Sequence, residues 1–331
     1  QETWEAEPIA SKKMFLEIIL QTAASEDIPH IEQLYDEEFK YQDKEKKTEK
    51  ECRRLLASIL LRFSGNKLYK QTTEHLETYF TKGRTGLIGM ITGKENVSFQ
   101  LPDSEDAFWN ASVMEQQFGF EIKSYDIARF HSIHQFWLSH FLQYIPMTFW
   151  SAAFNADYAR TVQYWLTSTE NQTKINGEAI AIYKSALIAN MKDHQDKRLA
   201  AALVNLLSVN ERVEVLPHMS LADYEEYVDR NNFYDYDQVL QYGPYTEEQY
   251  WPLAFSIKVI NEALEQAMHN NPTAVFGKVI AHYAHPDSIS TLYECNNKAQ
   301  DKTGYNNWNN HIFQVAQAAL EIRSKINFYN K

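Results

Sequence analysis

Glycine and proline are scarce in this sequence. Together they account for 19 of its 331 residues, about half of the roughly 12% that average usage would give. Many-stranded β folds need frequent turns that contain these two residues, so the shortage argues against a β-sandwich or a β-barrel. Because 44% of the residues are hydrophobic, the composition instead predicts long helices packed around a core.

Cysteine is nearly absent as well. The two cysteines, Cys52 and Cys295, exclude a disulfide framework. Cys52 lies on an apolar helical stripe, so we expect a buried free thiol, whereas Cys295 lies in a polar stretch and is a candidate for exposure. A bridge between them is the less favoured alternative, because distant cysteines seldom meet the geometric limits of a disulfide.

Basic charge and long apolar runs are also in short supply. There are 32 basic and 44 acidic residues, a net charge of -12, which argues against a nucleic-acid-binding domain. No run reaches the ~18 apolar residues of a membrane span, so we expect no membrane partner.

We expect a cytoplasmic protein. The chain begins with Gln rather than Met, which is typical of a processed or truncated product and leaves a removed signal peptide as the alternative.

Apolar residues recur at helical spacing along most of the chain. The clearest stripe predicts a helix over residues 48–63, with Gly65 at its C-terminal cap. Similar stripes lie at 159–166, 179–187, 199–207 and 306–328. Further helices are predicted near residues 10–24, 30–40, 67–80, 104–118, 122–143, 220–229, 246–268 and 273–284, with Pro252 kinking or restarting the helix over 246–268.

Residues 83–101 break the helical pattern. Four of the ten glycines lie here among β-forming residues, and Gly93-Lys94-Glu95-Asn96 separates two short apolar runs, which predicts a β-hairpin. A phosphate-binding loop is the alternative, but its spacing fails. Ile88 stands where that motif needs glycine, and Glu95 stands where it needs Ser or Thr.

These patterns predict a mainly α-helical fold, an irregular bundle or solenoid-like array of helical hairpins with one small β-hairpin near 85–101. Residues 1–120 are assigned to an N-terminal helical region that carries the hairpin, and residues 121–331 to a C-terminal region of helical hairpins. We expect the two regions to form one continuous unit. No repeat of fixed period is present, and the tetratricopeptide signature is absent.

Acidic residues concentrate in one segment, residues 223–250. Its eight acids and single base, Arg230, supply seven of the twelve excess negative charges, and seven of the twenty tyrosines lie there too. Clustered carboxylates steer basic partners, and tyrosine is favoured at protein interfaces. We therefore predict a partner-binding surface that also includes one aromatic residue from a later polar stretch: Asp223, Glu225, Glu226, Asp229, Tyr234, Asp235, Tyr236, Asp237, Tyr242, Tyr245 and Trp308. The alternatives are a solvated acidic loop and a glycosidase carboxylate pair, Asp235 and Asp237.

Two histidine pairs are the strongest candidate metal ligands. His131 and His134 are three residues apart, as are His282 and His285, so each pair shares a helix face. Neither pair belongs to an HExxH motif. In a chain with 11 histidines, close pairs also arise by chance, so no metal or other cofactor is predicted.

The function favoured by these observations is non-enzymatic binding of a basic protein partner, which the protein would neutralise or regulate. The helices from Phe149-Trp150 to Leu166 and from Ile182 to Leu207 resemble the all-helical immunity proteins of polymorphic toxin systems. That resemblance implies an inhibitor of a toxin such as a nuclease, and a regulatory or adaptor protein of the helical-repeat type fits the same helices equally well. The rival hypothesis is a metal-dependent hydrolase that uses the two histidine pairs and carboxylates of 223–237.

Overall fold

The structure, a computed structural model, describes residues 4, 7–38, 47–83, 96–120, 130–175, 178–230, 243–244, 250–268, 274–301, 314 and 316–321. Over these residues the fold is mainly α-helical with two small antiparallel sheets, which confirms the predicted fold class. The chain divides into two compact units, Gln1–Leu206 and Leu207–Lys331. The division predicted at residue 120 falls inside the first unit.

The first unit contains most of the described elements. In chain order they are α1 (Ile9–Thr22), α2 (Ile28–Gln33), α3 (Lys47–Leu61), α4 (Lys67–Glu77), β1 (Phe80–Gly83), β2 (Asn96–Phe99), α5 (Ala111–Phe118), α6 (Ile133–Tyr144), α7 (Met147–Phe154), α8 (Tyr158–Thr167), β3 (Gln172–Ile175), β4 (Glu178–Ala181), α9 (Lys184–His194) and α10 (Lys197–Val204). Helix α1 packs on α3, α6 on α9, and α8 on α10.

The second unit is built from helices of different lengths that pack around a core of their own. Its described helices include α11 (Val209–Arg212), α12 (Leu221–Arg230), α13 (Leu253–Met268), α14 (Ala274–Tyr283) and α15 (Ile289–Asp301). Helix α13 packs on both α14 and α15. None of the helices that the structure describes is long and apolar enough to cross a membrane.

Short polar side chains set where many of the helices begin. Each of five residues directly before a helix accepts a hydrogen bond from a backbone N–H of the first turn, and they are Asn66, Asn110, Ser132, Asp157 and Asp196. Such caps satisfy amide groups that have no partner inside the helix. Pro252 has no side-chain acceptor, but α13 begins directly after it. Residues 250–252 are not helical, so the helix predicted over 246–268 begins later than expected, and residues 246–249 lie outside the described residues.

Aromatic side chains fill the core of the first unit. Trp137, Trp150 and Trp165 are fully buried. The Trp150 and Trp165 rings meet edge to face at 5.5 Å, and Phe99 of β2 contacts both. The sheet formed by β1 and β2 therefore packs on helices α7 and α8 through aromatic contacts.

The predicted small sheet is present, with its first strand earlier in the chain than expected. Strands β1 and β2 are antiparallel, with Phe80 opposite Phe99 and Gly83 opposite Asn96. The predicted turn residues Gly93, Lys94 and Glu95 lie outside the described residues.

The apolar stripe over 179–187 is only partly helical, so that prediction was wrong at its start. Residues 178–181 form β4, which pairs with β3, and α9 begins at Lys184. The backbone N–H and C=O groups of β4 find hydrogen-bond partners on β3, and Gln172 lies opposite Ala181. Four residues of apolar pattern fit a strand as well as one helical turn, so the partner strand decides between them.

Two predicted helix starts and one predicted helix end were also wrong. Helix α5 begins at Ala111 rather than near 104, because the Asp106 carboxylate accepts hydrogen bonds from the backbone N–H groups of Phe108 and Trp109 and holds a turn there. Helix α6 begins after the cap at Ser132, so residues 130–132 are not helical. Gly65 caps no helix, since α3 ends at Leu61 and, among the described glycines, only Gly119 has a positive φ.

Candidate functional site

Helix α12, at the start of the acidic segment, has a buried apolar face and an acidic outer face. Tyr224, Tyr227 and Val228 are buried, and the Tyr224 ring packs against Phe255 of α13. At the start of the helix, the Ser220 hydroxyl accepts a hydrogen bond from the Asp223 N–H. Two of the seven tyrosines in the segment therefore belong to the core rather than to a surface.

The carboxylates of α12 lie in three different environments. Glu226 is exposed and forms an ion pair with Arg230 one helical turn later. Asp223 is partly exposed and accepts a hydrogen bond from the Ser220 hydroxyl. Partial burial raises the pKa of Glu225, and the positive charge of Lys258 on α13 lowers it by a smaller amount. The only base of the acidic segment is thus engaged on the same helix face.

For the remaining residues of the predicted surface, no side chain is described. Asp229 lies on α12 by its backbone. Six others of the acidic segment, and the aromatic residue from the later polar stretch, lie outside the described residues: Tyr234, Asp235, Tyr236, Asp237, Tyr242, Tyr245 and Trp308. Gly243 is described, and it lies so close to α12 that a Cβ atom there would stand 2.7 Å from the Tyr224 hydroxyl oxygen.

In the first unit, His131 forms a hydrogen bond with the backbone, whereas His134 is buried. The Nε2 atom of His131 lies 2.9 Å from the carbonyl oxygen of Gln172, so this nitrogen donates a hydrogen bond. His134 is buried edge-on against Trp109.

In the second unit, the histidine pair is held by local contacts. His285 Nδ1 accepts a hydrogen bond from the Asp287 N–H and caps the short turn Pro286–Ser288. The ring of His282 meets Tyr283 edge to face. Among the described residues, no group of three or more His, Cys, Asp or Glu side chains is arranged to hold a metal ion. The hydrolase hypothesis stays a prediction.

Both cysteines are buried free thiols. Cys295 is 1% exposed, which corrects the expectation of a surface position, and its sulfur donates to the Asn261 side-chain oxygen at 3.6 Å. Burial raises the pKa of the Cys295 thiol. A nucleophilic cysteine needs a lowered pKa and access to solvent, and Cys295 has neither.

A family comparison covers nearly the whole chain. Residues 1–328 match the model of DUF5691, described as a family of unknown function. The chain belongs to this family. The match extends over both compact units, so helix α12 and both histidine pairs lie within the DUF5691 region. No curated protein and no solved structure matches the chain.

The sequence pattern did not reveal that a basic residue, Lys258, lies near the acidic segment of this DUF5691 chain. Lys258 acts on Glu225 electrostatically although it is 33 positions later in the chain. A charge count over a window omits such a residue, because the neighbour is supplied by another helix. The helical period of Tyr224, Tyr227 and Val228 was the available signal that these tyrosines face the core.

Proposed function

We propose that the protein binds a basic protein partner through the outer face of α12 and the acidic segment that follows it, and that binding neutralises or regulates that partner. If the partner is a cationic toxin such as a nuclease, this role is that of an immunity protein. The proposed activity is non-enzymatic.

The observation that carries the proposal is the two-faced character of α12. Tyr224, Tyr227 and Val228 anchor its inner face in the core, so Asp223 and Glu226 are held on the opposite, outer side of a fixed helix. Carboxylates in such positions attract a basic partner over several ångströms and raise the association rate at low salt. The excess of seven negative charges over residues 223–250 extends the same field along the chain.

Neutralisation of the acidic face tests the proposal. One variant carries Asp223→Asn and Glu226→Gln, and a second carries Asp235→Asn and Asp237→Asn. Glu74→Gln with Glu77→Gln on α4 is the matched control, because both residues are exposed and the change in net charge is the same. Basic proteins captured from the source organism by the immobilised wild type are then presented to each variant, and association rates are measured at low and high salt.

We expect the two acidic-segment variants to associate about tenfold more slowly at low salt, with a weaker salt dependence. The control should behave as the wild type does. Equal rates for all four proteins, or equal losses in the control and the test variants, would contradict the proposal.

A further inference from the structure

The first unit carries an open groove of about 430 Å³ that plays no part in the function proposed above. Its walls come from α7, from the loop that joins α7 to α8, from the first turn of α8 and from the start of α10. The volume lies within the roughly 300–1,000 Å³ that small-molecule pockets usually have. Every described residue that lines the groove belongs to the first unit, so the groove is independent of the acidic helix.

Two arginines line this groove, Arg160 of α8 and Arg198 of α10. Both residues are exposed, so a ligand in the groove can reach their N–H groups. Among the described residues, no carboxylate forms an ion pair with either guanidinium. An arginine side chain carries five N–H donors and no acceptor. The groove therefore presents accessible, charged donors to a ligand that can accept hydrogen bonds.

Tyr158 holds the guanidinium of Arg198 in place. The guanidinium lies over the Tyr158 ring, 4.7 Å from its centroid, and one of its N–H groups donates to the Tyr158 hydroxyl oxygen at 3.2 Å. Burial, and to a smaller extent the Asp196 carboxylate, raises the pKa of Tyr158 to about 12, so this hydroxyl stays neutral beside Arg198. A guanidinium that is fixed in advance loses less conformational entropy when it binds a ligand.

The other polar residues of the groove leave an excess of positive charge. Asp157 also lines it, but the Oδ1 atom of this carboxylate accepts a hydrogen bond from the Arg160 N–H and caps α8. Thr148 and Asn155 are exposed neutral residues of the wall, and each side chain can donate a hydrogen bond. Two arginines and one aspartate give the lining an excess of one positive charge.

These charges select among ligand classes. A cation would be repelled by the two guanidinium groups, and a neutral ligand would leave both charges without a counterion. Arginine recognises carboxylate and phosphate groups through pairs of parallel N–H···O hydrogen bonds. A phosphate group offers three strong acceptor oxygens, whereas a carboxylate offers two. Phosphate is therefore the anion that suits two arginines on different helices best.

We propose that this groove binds the phosphate group of a small phosphorylated molecule. The phosphate oxygens accept hydrogen bonds from Arg160 and Arg198, and Arg198 is positioned for this contact by Tyr158. The hydroxyl of Thr148 and the amide of Asn155 are available to the remainder of the ligand.

Isothermal titration calorimetry and thermal shift on the full chain test the site. The phosphate probes are glycerol phosphate and inorganic phosphate, and the comparison ligands are glycerol as the neutral match, citrate as a carboxylate and putrescine as a cation. The test variants are Arg160→Gln, Arg198→Gln and Tyr158→Phe. The matched control is Arg54→Gln, because Arg54 is exposed on α3, does not line the groove and undergoes the same change in charge.

We expect saturable binding of glycerol phosphate that weakens as the salt concentration rises, and no saturable binding of glycerol or putrescine. Each arginine variant should bind about tenfold more weakly, because a charge-assisted hydrogen bond is lost. Tyr158→Phe should bind about threefold more weakly, since it keeps the ring under Arg198 but removes the hydroxyl. The control should match the wild type, and all four variants should melt near the wild-type temperature without ligand.

The two phosphate probes distinguish the source of the ligand. Equal affinity for both would show that the phosphate group alone is recognised, and tighter binding of glycerol phosphate would show that the organic part contributes, so either result supports the proposal. Failure of both phosphate probes to bind, tighter binding of citrate than of glycerol phosphate, or equal affinity in Arg198→Gln and wild type would overturn it.

Discussion

His194 shows how a single residue links two helix ends. It is the last residue of α9, and its Nε2 donates a hydrogen bond to the carbonyl oxygen of Tyr144 at the end of α6. Burial lowers the pKa of His194, and the positive charge of Arg62 lowers it further. The bond to Tyr144 and the carboxylates of Asp193 and Asp196 act in the opposite direction but do not restore the usual pKa.

A pH dependence of stability follows from this lowered pKa. The unfolded chain takes up a proton on His194 near the usual value of about 6.5, whereas the folded chain resists it. Well above that pH, His194 should therefore add no pH dependence to the free energy of unfolding. As the pH drops from about 6.5 toward the pKa of His194 in the folded protein, the free energy of unfolding should fall.

Denaturant unfolding of wild type and His194→Gln, measured from neutral to mildly acidic pH, checks this expectation. The glutamine retains an N–H donor for the Tyr144 carbonyl but cannot titrate, so the variant should lose less stability across the window. His30→Gln, at an exposed histidine of α2, is the surface control. Parallel curves for wild type and His194→Gln would show that this histidine does not contribute.

At the scale of elements, helix ends depend on particular backbone positions. Helix α5 ends at Gly119, whose φ is 65°. A Cβ atom there would lie 2.8 Å from the carbonyl oxygen of Lys50 on α3, the helix on which α5 packs. Glycine is therefore required by both its conformation and the close approach of the two helices.

Gly119→Ala should destabilise the protein by about 1–3 kcal/mol, because it combines a strained φ with overpacking. Gly65→Ala is the matched control, since no atom lies within 4 Å of its Cβ position and its φ is not in the left-handed region. The control should be neutral or more stable by up to about 1 kcal/mol. Urea unfolding gives both values, and equal free energies of unfolding would refute the assignment.

Elements with a long apolar stripe could be predicted from the sequence. The stripe over 48–63 became α3, and the stripe over 159–166 became α8. Short elements could not, because β4 has four residues and its pattern also fits a helical turn. The helix start at Ala111 escaped prediction for a different reason: the side chain of Asp106 competes for the backbone N–H groups that a helix would use.

On the scale of the whole molecule, each compact unit has its own core. Four fully buried tryptophans lie in the first unit, at positions 109, 137, 150 and 165, whereas Trp251 is buried in the second. In the second unit, Tyr224 is fully buried and lies against Gly243. Separate cores allow each unit to open on its own.

Gly243→Ala tests this organisation. A Cβ atom would stand 2.7 Å from the buried Tyr224 ring, so we expect a loss of about 1–3 kcal/mol from overpacking. Hydrogen exchange measured by mass spectrometry should accelerate in helix α13 while helix α9 of the first unit keeps its protection. Gly119→Ala should produce the reverse pattern. Equal acceleration in both units would show that the two cores unfold together.

The candidate sites could be predicted from the sequence only where neighbouring residues determine them, and not where they depend on contacts between distant elements. Glu226 was predicted as an exposed carboxylate, because its charge and position on a short amphipathic helix are local properties. Its pairing with Arg230 is also local, at a spacing of four residues. The proximity of Lys258 to Glu225 depends on elements far apart in the chain.

The mainly helical fold follows from the amino-acid sequence alone, because scarce glycine and proline and a 3.6-residue apolar period act within single turns of the backbone. Which polar groups are covered is a matter of tertiary packing, which buries Cys295 and Tyr224 and pairs β3 with β4. The physical reason is that burial depends on which distant element packs over a residue, and no local pattern carries that information.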